Sequence, residues 1–177
     1  MKNFKLSEID ILSNQDWTFP TTTYYGPGRF NEIGKFCEEF EIKNPLIVTD
    51  SGSKDLPFIN KLETLLSKND IKSEVFYDIS PNPRDDEISK GCDQFRSGKH
   101  DAIIAIGGGS AMDGGKSICL TVNSDTPLWD FEFEQPVPEI TKENAFPKII
   151  TIPTTSGTGA ETEITAMVTH LEKGMKF

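Results

Sequence analysis

The chain has 177 residues, enough for one compact domain with a substantial hydrophobic core. Its 28 acidic and 18 basic side chains give a formal net charge of -10, which argues against nucleic acid and anionic membrane surfaces as partners. No stretch approaches the roughly 20 apolar residues of a membrane span, and the N-terminal MKNFKLSEIDIL lacks the apolar run of a signal peptide. We therefore expect a cytoplasmic protein with no membrane partner.

After an N-terminal extension over residues 1–16, extended residues lead to a turn at Gly26-Pro27-Gly28, and the chain then alternates between helical stripes and short apolar runs. Helices are predicted where apolar residues recur at helical spacing, at Phe30, Ile33, Cys37 and Phe40; at Phe58, Leu62, Leu65 and Leu66; at Ile88, Cys92 and Phe95; and at Ala111, Gly115, Ile118 and Val122. Strands are predicted at PLIVTD (45–50), SEVFY (73–77), DAIIAI (101–106) and KIITIP (148–153).

Strands that are apolar on both faces and alternate with amphipathic helices require a parallel sheet covered on both sides. The predicted fold class is therefore α/β, a doubly wound parallel sheet forming one domain over residues 1–177. A long irregular stretch over residues 126–147 precedes the last strand, and residues 164–177 read as a hairpin. The three cysteines, Cys37, Cys92 and Cys119, have no metal-ligand spacing, so we interpret them as reduced core thiols.

Three polar or glycine-rich features follow predicted strands: Asp50, residues 107–110 and residues 154–159. In open α/β sheets, ligands bind beyond the carboxyl ends of the strands, so these features should meet. Gly107, Gly108 and Gly109 allow close backbone approach, and Ser110 is positioned to cap the next helix, whose open amides suit a pyrophosphate. The alternative is a tight strand-to-helix turn that binds nothing.

Two common phosphate motifs do not fit this turn. A dinucleotide fingerprint that starts at Gly107 would need glycine in place of Met112, and a P-loop ending at Lys116 would need glycine in place of Ser110. An acidic side chain at Asp113 also opposes triphosphate binding. Neither motif therefore accounts for this turn.

GGGSAMDGGK together with PTTSGTGAE resembles the two signatures of the iron-containing (group III) alcohol dehydrogenases. FPTTTYYGPGR, PLIVTDSG, PNP and PLWDFE also resemble that family, in its order and at its spacing, from about Trp17 onward. The resemblance implies a Rossmann-like, dehydroquinate-synthase-like N-terminal domain that binds NAD. It also implies that the C-terminal helical metal domain of the family is absent from this chain.

The resemblance assigns roles residue by residue. The turn of Gly107, Gly108, Gly109 and Ser110 would hold the cofactor pyrophosphate. Asp50 would accept the adenosine ribose hydroxyls and disfavour NADP, although such an Asp is also a common turn residue. The loop of Thr154, Thr155 and Thr158 would wrap around the nicotinamide end, and Asp113 would lie near the nicotinamide ribose and the substrate. Asn82 would lie near the cofactor, and Lys176 would reach it from the far strand of a hairpin. For Asn82 an Asn-Pro turn is the alternative, and Lys116, part of the signature, reads equally as a solvated helix lysine.

The family's catalytic iron or zinc is held by an Asp and three His of the helical domain. Of the two histidines here, neither His100 nor His170 has a ligand-like partner at i, i+4, so we assign no metal site and no catalytic residue. We expect the nucleotide half of an NAD-dependent enzyme interconverting alcohols and aldehydes, with little activity alone. A homodimer or a separately encoded C-terminal half would complete it. The alternatives are a dehydroquinate-synthase-type NAD enzyme and a non-catalytic NAD-binding or assembly module.

Overall fold

A computed structural model describes residues 21–136, 138–139, 141 and 145–177. A four-stranded parallel sheet has the order β2-β1-β3-β4. Its strands are β1 (Pro45–Asp50), β2 (Glu74–Ile79), β3 (Ala102–Gly107) and β4 (Lys148–Pro153). The predicted doubly wound α/β fold is confirmed. The extension predicted over residues 1–16 lies outside the described residues.

Two pairs of helices cover the two faces of the sheet. The helices are α1 (Ile33–Glu39), α2 (Pro57–Ser67), α3 (Asp85–Ser97) and α4 (Gly109–Thr121). Side chains alternate along β1, so that Ile47 packs with the core of α1 and α2, whereas Leu46 and Val48 pack with that of α3 and α4. The two central strands, β1 and β3, are buried because helices lie on both sides of the sheet, whereas the edge strands β2 and β4 are partly exposed.

Two elements show the largest boundary differences from the sequence prediction. The first predicted helix begins with a 3-10 turn, Arg29–Glu32, before α1. Strand β2 runs to Ile79, two residues beyond the predicted end, because Ile79 still pairs with Asp50 after a register shift in β1. Both changes concern element ends, where tertiary pairing decides the last residues.

The chain after β4 forms a small two-stranded antiparallel sheet. Strand β5 (Thr169–His170) pairs with β6 (Met175–Lys176). A short 3-10 helix, Leu128–Phe131, interrupts the irregular stretch before β4. Within the described residues, no helix is both long and apolar enough to cross a membrane.

The three cysteines are buried and unpaired. Burial, with a smaller contribution from Asp101, raises the pKa of the Cys37 thiol to about 11. Burial raises the pKa of Cys119 to about 12. Both thiols are therefore protonated at neutral pH, so they pack as small apolar side chains and are poor nucleophiles.

Candidate functional site

The glycine turn joins the carboxyl end of β3 to the start of α4. Gly107 has a φ of 147°, a backbone conformation that side chains rarely adopt. A Cβ atom on Gly107 would lie 2.7 Å from the Cβ of Ala111 and 3.1 Å from Oδ2 of Asp50. The close packing of β3, α4 and Asp50 therefore requires glycine at this position.

The first turn of α4 has no side-chain cap. Gly108 is the N-cap residue, so Ser110 lies inside the helix, and its hydroxyl instead donates to the carbonyl oxygen of Pro81 at 2.6 Å. The predicted capping role of Ser110 is wrong, because the helix begins two residues earlier than that role requires. The amides at the start of α4 are left available to an anion at the positive end of the helix dipole.

Asp50 ends β1 and lies beside the glycine turn. Its Oδ1 accepts from the backbone amide of Gly52 at 3.1 Å, and its Oδ2 accepts from the Ser53 hydroxyl at 2.8 Å. These bonds hold the carboxylate in a turn, which was one of the two sequence interpretations. The same carboxylate is close to Gly107, so the turn also fixes its position at the sheet edge.

The loop after β4 lies over the glycine turn. The Thr154 amide donates to the carbonyl oxygen of Gly107 at 2.8 Å and extends the β3–β4 pairing by one residue. A Cβ on Gly108 would lie 3.5 Å from Oγ1 of Thr155, and a Cβ on Gly109 would lie 3.9 Å from Oγ1 of Thr158. The structure therefore brings these exposed threonines close to the first residues of α4.

Two further predicted site residues, Asn82 and Lys176, meet at the loop that follows β2. The Lys176 ammonium group on β6 donates to Oδ1 of Asn82 at 3.2 Å. The Ser80 hydroxyl donates to the carbonyl oxygen of Asn82 at 2.8 Å, and Ser110 holds the adjacent Pro81. Hydrogen bonds thus connect the loop after β2 both to α4 and to the β5–β6 hairpin.

A buried carboxylate that sequence reasoning missed organises this loop. Glu87 on α3 is 3% exposed, and its Oε2 accepts from the amides of Ser80 at 3.2 Å and Arg84 at 3.0 Å. Its Oε1 also pairs with the Arg84 guanidinium at 3.1 Å. The available signal was a glutamate at the third helical position, where its side chain can bond back to the N-cap amide.

Asp113 and Lys116 lie one helical turn apart on α4. Burial raises the pKa of the Asp113 carboxyl, and the Lys116 charge opposes that shift from 3.6 Å. The Lys116 ammonium group donates to the carbonyl oxygens of Ala160 at 2.8 Å and Glu163 at 3.3 Å, and also to that of Thr165. The interpretation of Lys116 as a solvated lysine is therefore wrong.

Both histidines are engaged in packing. His100 Nδ1 lies 3.0 Å from the carbonyl oxygen of Asn44. The His170 ring stacks on Trp129 with centroids 4.5 Å apart, and its Nδ1 lies 3.5 Å from Oδ2 of Asp85. Over the part of the chain that the structure describes, no group of three or more His, Cys, Asp or Glu side chains could hold a metal ion. These residues do not fit the metal that the family name implies.

Comparison with known proteins identifies the family of the chain. The family model of iron-containing alcohol dehydrogenases matches residues 20–177. The 1,3-propanediol dehydrogenase of Citrobacter freundii is 29% identical over 164 residues, which cover 92% of this chain and 41% of that protein. The NADH-dependent butanol dehydrogenase A of Clostridium acetobutylicum is 32% identical over 166 residues, which cover 92% of this chain and 40% of that protein.

Solved structures share the fold. A 1,3-propanediol oxidoreductase superposes with a TM-score of 0.81 at 28% identity, covering 92% of this chain and 41% of that chain. A sulfoacetaldehyde reductase from Bifidobacterium kashiwanohense, solved in complex with NAD+, superposes with a TM-score of 0.78 at 28% identity, covering 93% of this chain and 42% of that chain. The chain belongs to the iron-containing alcohol dehydrogenase family, and it spans about 41% of the length of its 1,3-propanediol dehydrogenase relative.

Proposed function

We propose that this chain is the NAD-binding part of an alcohol dehydrogenase that interconverts small alcohols and aldehydes. The observation that carries the proposal is the uncapped start of α4 directly after a glycine turn, with Asp50 beside it at the carboxyl edge of a parallel sheet. Open helix amides attract a pyrophosphate, and this edge is where doubly wound folds bind ligands. The relative from Clostridium acetobutylicum is named for its dependence on NADH.

Different residues would hold the two ends of the cofactor. The backbone of Gly107, Gly108, Gly109 and Ser110 would bind the pyrophosphate. Asp50 would accept the adenosine ribose hydroxyls, since a carboxylate has more acceptor positions than the two bonds it already receives. Its negative charge would repel the 2′-phosphate of NADP, so we propose NAD as the cofactor.

The residues around the loops would position the nicotinamide end, where bound NAD accepts or returns a hydride. The proposed set is Asp113, Thr154, Thr155 and Thr158, and Asn82 and Lys176 would also lie near the cofactor. The described residues offer no group of side chains that could hold a metal ion. We propose that this chain binds NAD but turns over little alcohol by itself, because the alcohol would lack a Lewis acid to lower its pKa.

Calorimetry with NAD, NADP and ATP tests the cofactor proposal. We expect saturable NAD binding, weaker NADP binding, and a loss of about ten- to a hundredfold in NAD affinity in Asp50→Ala. Ser53→Ala is the matched control, because it removes one bond of the Asp50 turn and keeps the carboxylate. We expect its affinity to stay within about threefold of wild type.

Two results would contradict the proposal. If the folded wild-type chain binds no NAD, the cofactor assignment fails. If the purified chain with added Fe²⁺ or Zn²⁺ gives robust alcohol-dependent NADH formation, the proposed inactivity of the isolated chain fails. NAD binding without any turnover is also what a non-catalytic NAD-binding module would give, so activity after mixing with a C-terminal half separates these two functions.

The surface also favours a protein partner. A cavity of about 650 Å³ along α4 is lined mostly by apolar side chains, and Phe133 and Ile164 at its edge are each 88% exposed. Apolar surface of this kind typically marks an interaction site. We propose a second copy of the chain or a C-terminal half of the family type as the partner, and a cytoplasmic location, where the three thiols would stay reduced.

A further inference from the structure

Lys116 makes three contacts that link α4 to the chain after β4. Its ammonium group donates to the carbonyl oxygens of Ala160, Glu163 and Thr165. The side chain is only 16% exposed, although it belongs to a charged residue. A lysine ammonium has three donors, and here all three find backbone acceptors of one irregular segment.

The segment over residues 154–168 has few other long-range attachments. Among the described residues, the Thr154 amide bonds to Gly107, and the Thr151 hydroxyl donates to the carbonyl oxygen of Glu161 at 3.0 Å. At the end of the segment, the Met167 backbone bonds to Asp113, and Val168 pairs with Phe177. No helix or strand is formed between β4 and β5. A backbone carbonyl that no helix or strand satisfies needs another donor where it is partly buried, and Lys116 supplies that donor to Ala160. The carbonyls of Glu163 and Thr165 are exposed, so there the same ammonium group takes the place of water.

The held segment carries the threonines that lie over the glycine turn. Thr155 and Thr158 come just before the first held carbonyl, at Ala160, which is itself buried. Lys116 is on the same helix whose first turn faces these threonines. Helix α4 therefore connects two parts of the site: its first turn faces the threonine loop (residues 154–159), and Lys116 on the same helix holds the chain that follows this loop.

We propose that Lys116 is a positioning residue of the cofactor site. It holds three backbone carbonyls of the segment 154–168 and so fixes the threonine loop at the start of this segment opposite the glycine turn. This inference rests on the proposed NAD-binding function. Asp113 lies 3.6 Å from the ammonium group, so the same lysine also partners a half-buried carboxylate of the site. Lys116 acts through the loop and need not touch the cofactor.

Hydrogen exchange of the ligand-free chain and calorimetry with NAD test this role together. In Lys116→Met we expect the amides of residues 160–166 to exchange about tenfold faster, since the loop loses its hold. We expect NAD affinity to fall about tenfold. Lys116→Arg keeps the charge and the donors, so both properties should recover at least in part.

Lys148→Met is the matched control. Lys148 also donates to a backbone carbonyl, that of Phe40, but at the opposite end of β4. Its loss should leave both the exchange of residues 160–166 and the NAD affinity unchanged. If Lys116→Met fails to fold, Lys116→Gln, which keeps two donors and loses the charge, gives the same comparison.

Each result decides the inference. Faster loop exchange and weaker NAD binding, with recovery in Lys116→Arg, support it. Unchanged loop exchange in a folded Lys116→Met overturns it, whatever the NAD affinity, and so does faster exchange with wild-type affinity. If the wild-type chain binds no NAD, the proposed function fails and the link to the cofactor is overturned with it, while the exchange data still decide whether Lys116 holds the loop.

Discussion

The two edges of the parallel sheet use their polar groups in opposite ways. At the amino edge, Asp101 accepts from the amides of Lys43 at 2.7 Å and Asn44 at 3.0 Å. The Asn44 side chain donates to the carbonyls of Gly98 and Lys99. The donors and acceptors of this edge therefore satisfy one another, so this edge contributes to stability and offers little to a ligand.

The carboxyl edge leaves groups of the same kind available. The start of α4 has no side-chain cap, and the side chains of Thr154, Thr155 and Thr158 make no hydrogen bond to any residue that the structure describes. Yet the edge is held firmly around these groups by Asp50, Glu87 and Lys116. The carboxyl edge is therefore rigid in its supports and unsatisfied at its centre.

The largest expected effect on NAD affinity comes from adding a side chain to the glycine turn at the carboxyl edge. Gly107→Ala places a Cβ at a φ of 147° and 2.7 Å from the Cβ of Ala111, so the turn must shift. We expect a loss of about 1–3 kcal/mol in the free energy of unfolding and about a hundredfold in NAD affinity. Urea denaturation and calorimetry measure the two effects.

Gly157→Ala is the control for that substitution. A Cβ on Gly157 would meet no atom within 4 Å, so the change should alter stability by no more than about 0.5 kcal/mol. Wild-type NAD affinity in a folded Gly107→Ala variant would show that the turn geometry does not create the binding edge.

The second prediction concerns the amino edge. Asp101→Ala leaves the amides of Lys43 and Asn44 without their acceptor, so we expect a loss of about 1–2 kcal/mol in the free energy of unfolding. NAD affinity should stay within about twofold of wild type, because the change lies at the other end of the sheet. Urea denaturation and calorimetry again give both values.

Asp93→Ala on α3 serves as the control for a lost surface carboxylate, since Asp93 is 76% exposed and pairs with Arg96 only at 3.7 Å. We expect less than about 0.5 kcal/mol there. A large loss of NAD affinity in a folded Asp101→Ala protein would contradict the separation of the two edges.

The fold was predictable because its signals are local. The helices are marked by the helical spacing of their apolar residues, and the strands by apolar runs. The runs at 45–50 and 148–153 alone predicted both strands with their observed bounds. The convergence of Asp50, the glycine turn and the threonine loop was also predictable, because carboxyl ends of parallel strands share one edge.

The partners of single side chains were not predictable in the same way. Ser110 bonds to Pro81 and Lys116 to Ala160, across 29 and 44 residues of sequence. Such contacts depend on how loops pack over the sheet, which no local spacing records. The same is true of Glu87. The sequence places it near the start of a helix, but it does not show that the side chain is buried beside Ser80.

The smallest expected effect comes from the charge of Asp113, a half-buried carboxylate at the carboxyl edge. Folding raises the pKa of Asp113 above its ordinary value of 3.8, mainly by burial, so the folded state binds a proton more readily than the unfolded state. The stability that this carboxyl contributes is full below pH 3.8 and is lost as the pH rises through the folded pKa. Asp113→Asn has no charge to desolvate, so it should gain on the order of 0.5 kcal/mol over wild type at neutral pH.

Urea denaturation of both proteins at a series of pH values measures this difference, which should shrink toward zero near the acid end. Asp93→Asn, on the solvent-exposed side of α3, should show no such dependence. Lys116 and Lys176 act against the effect of burial. If Asp113→Asn is instead less stable than wild type at neutral pH, the attraction of these lysines for the carboxylate outweighs its desolvation, and the carboxyl edge is held by charge pairing as well as by hydrogen bonds.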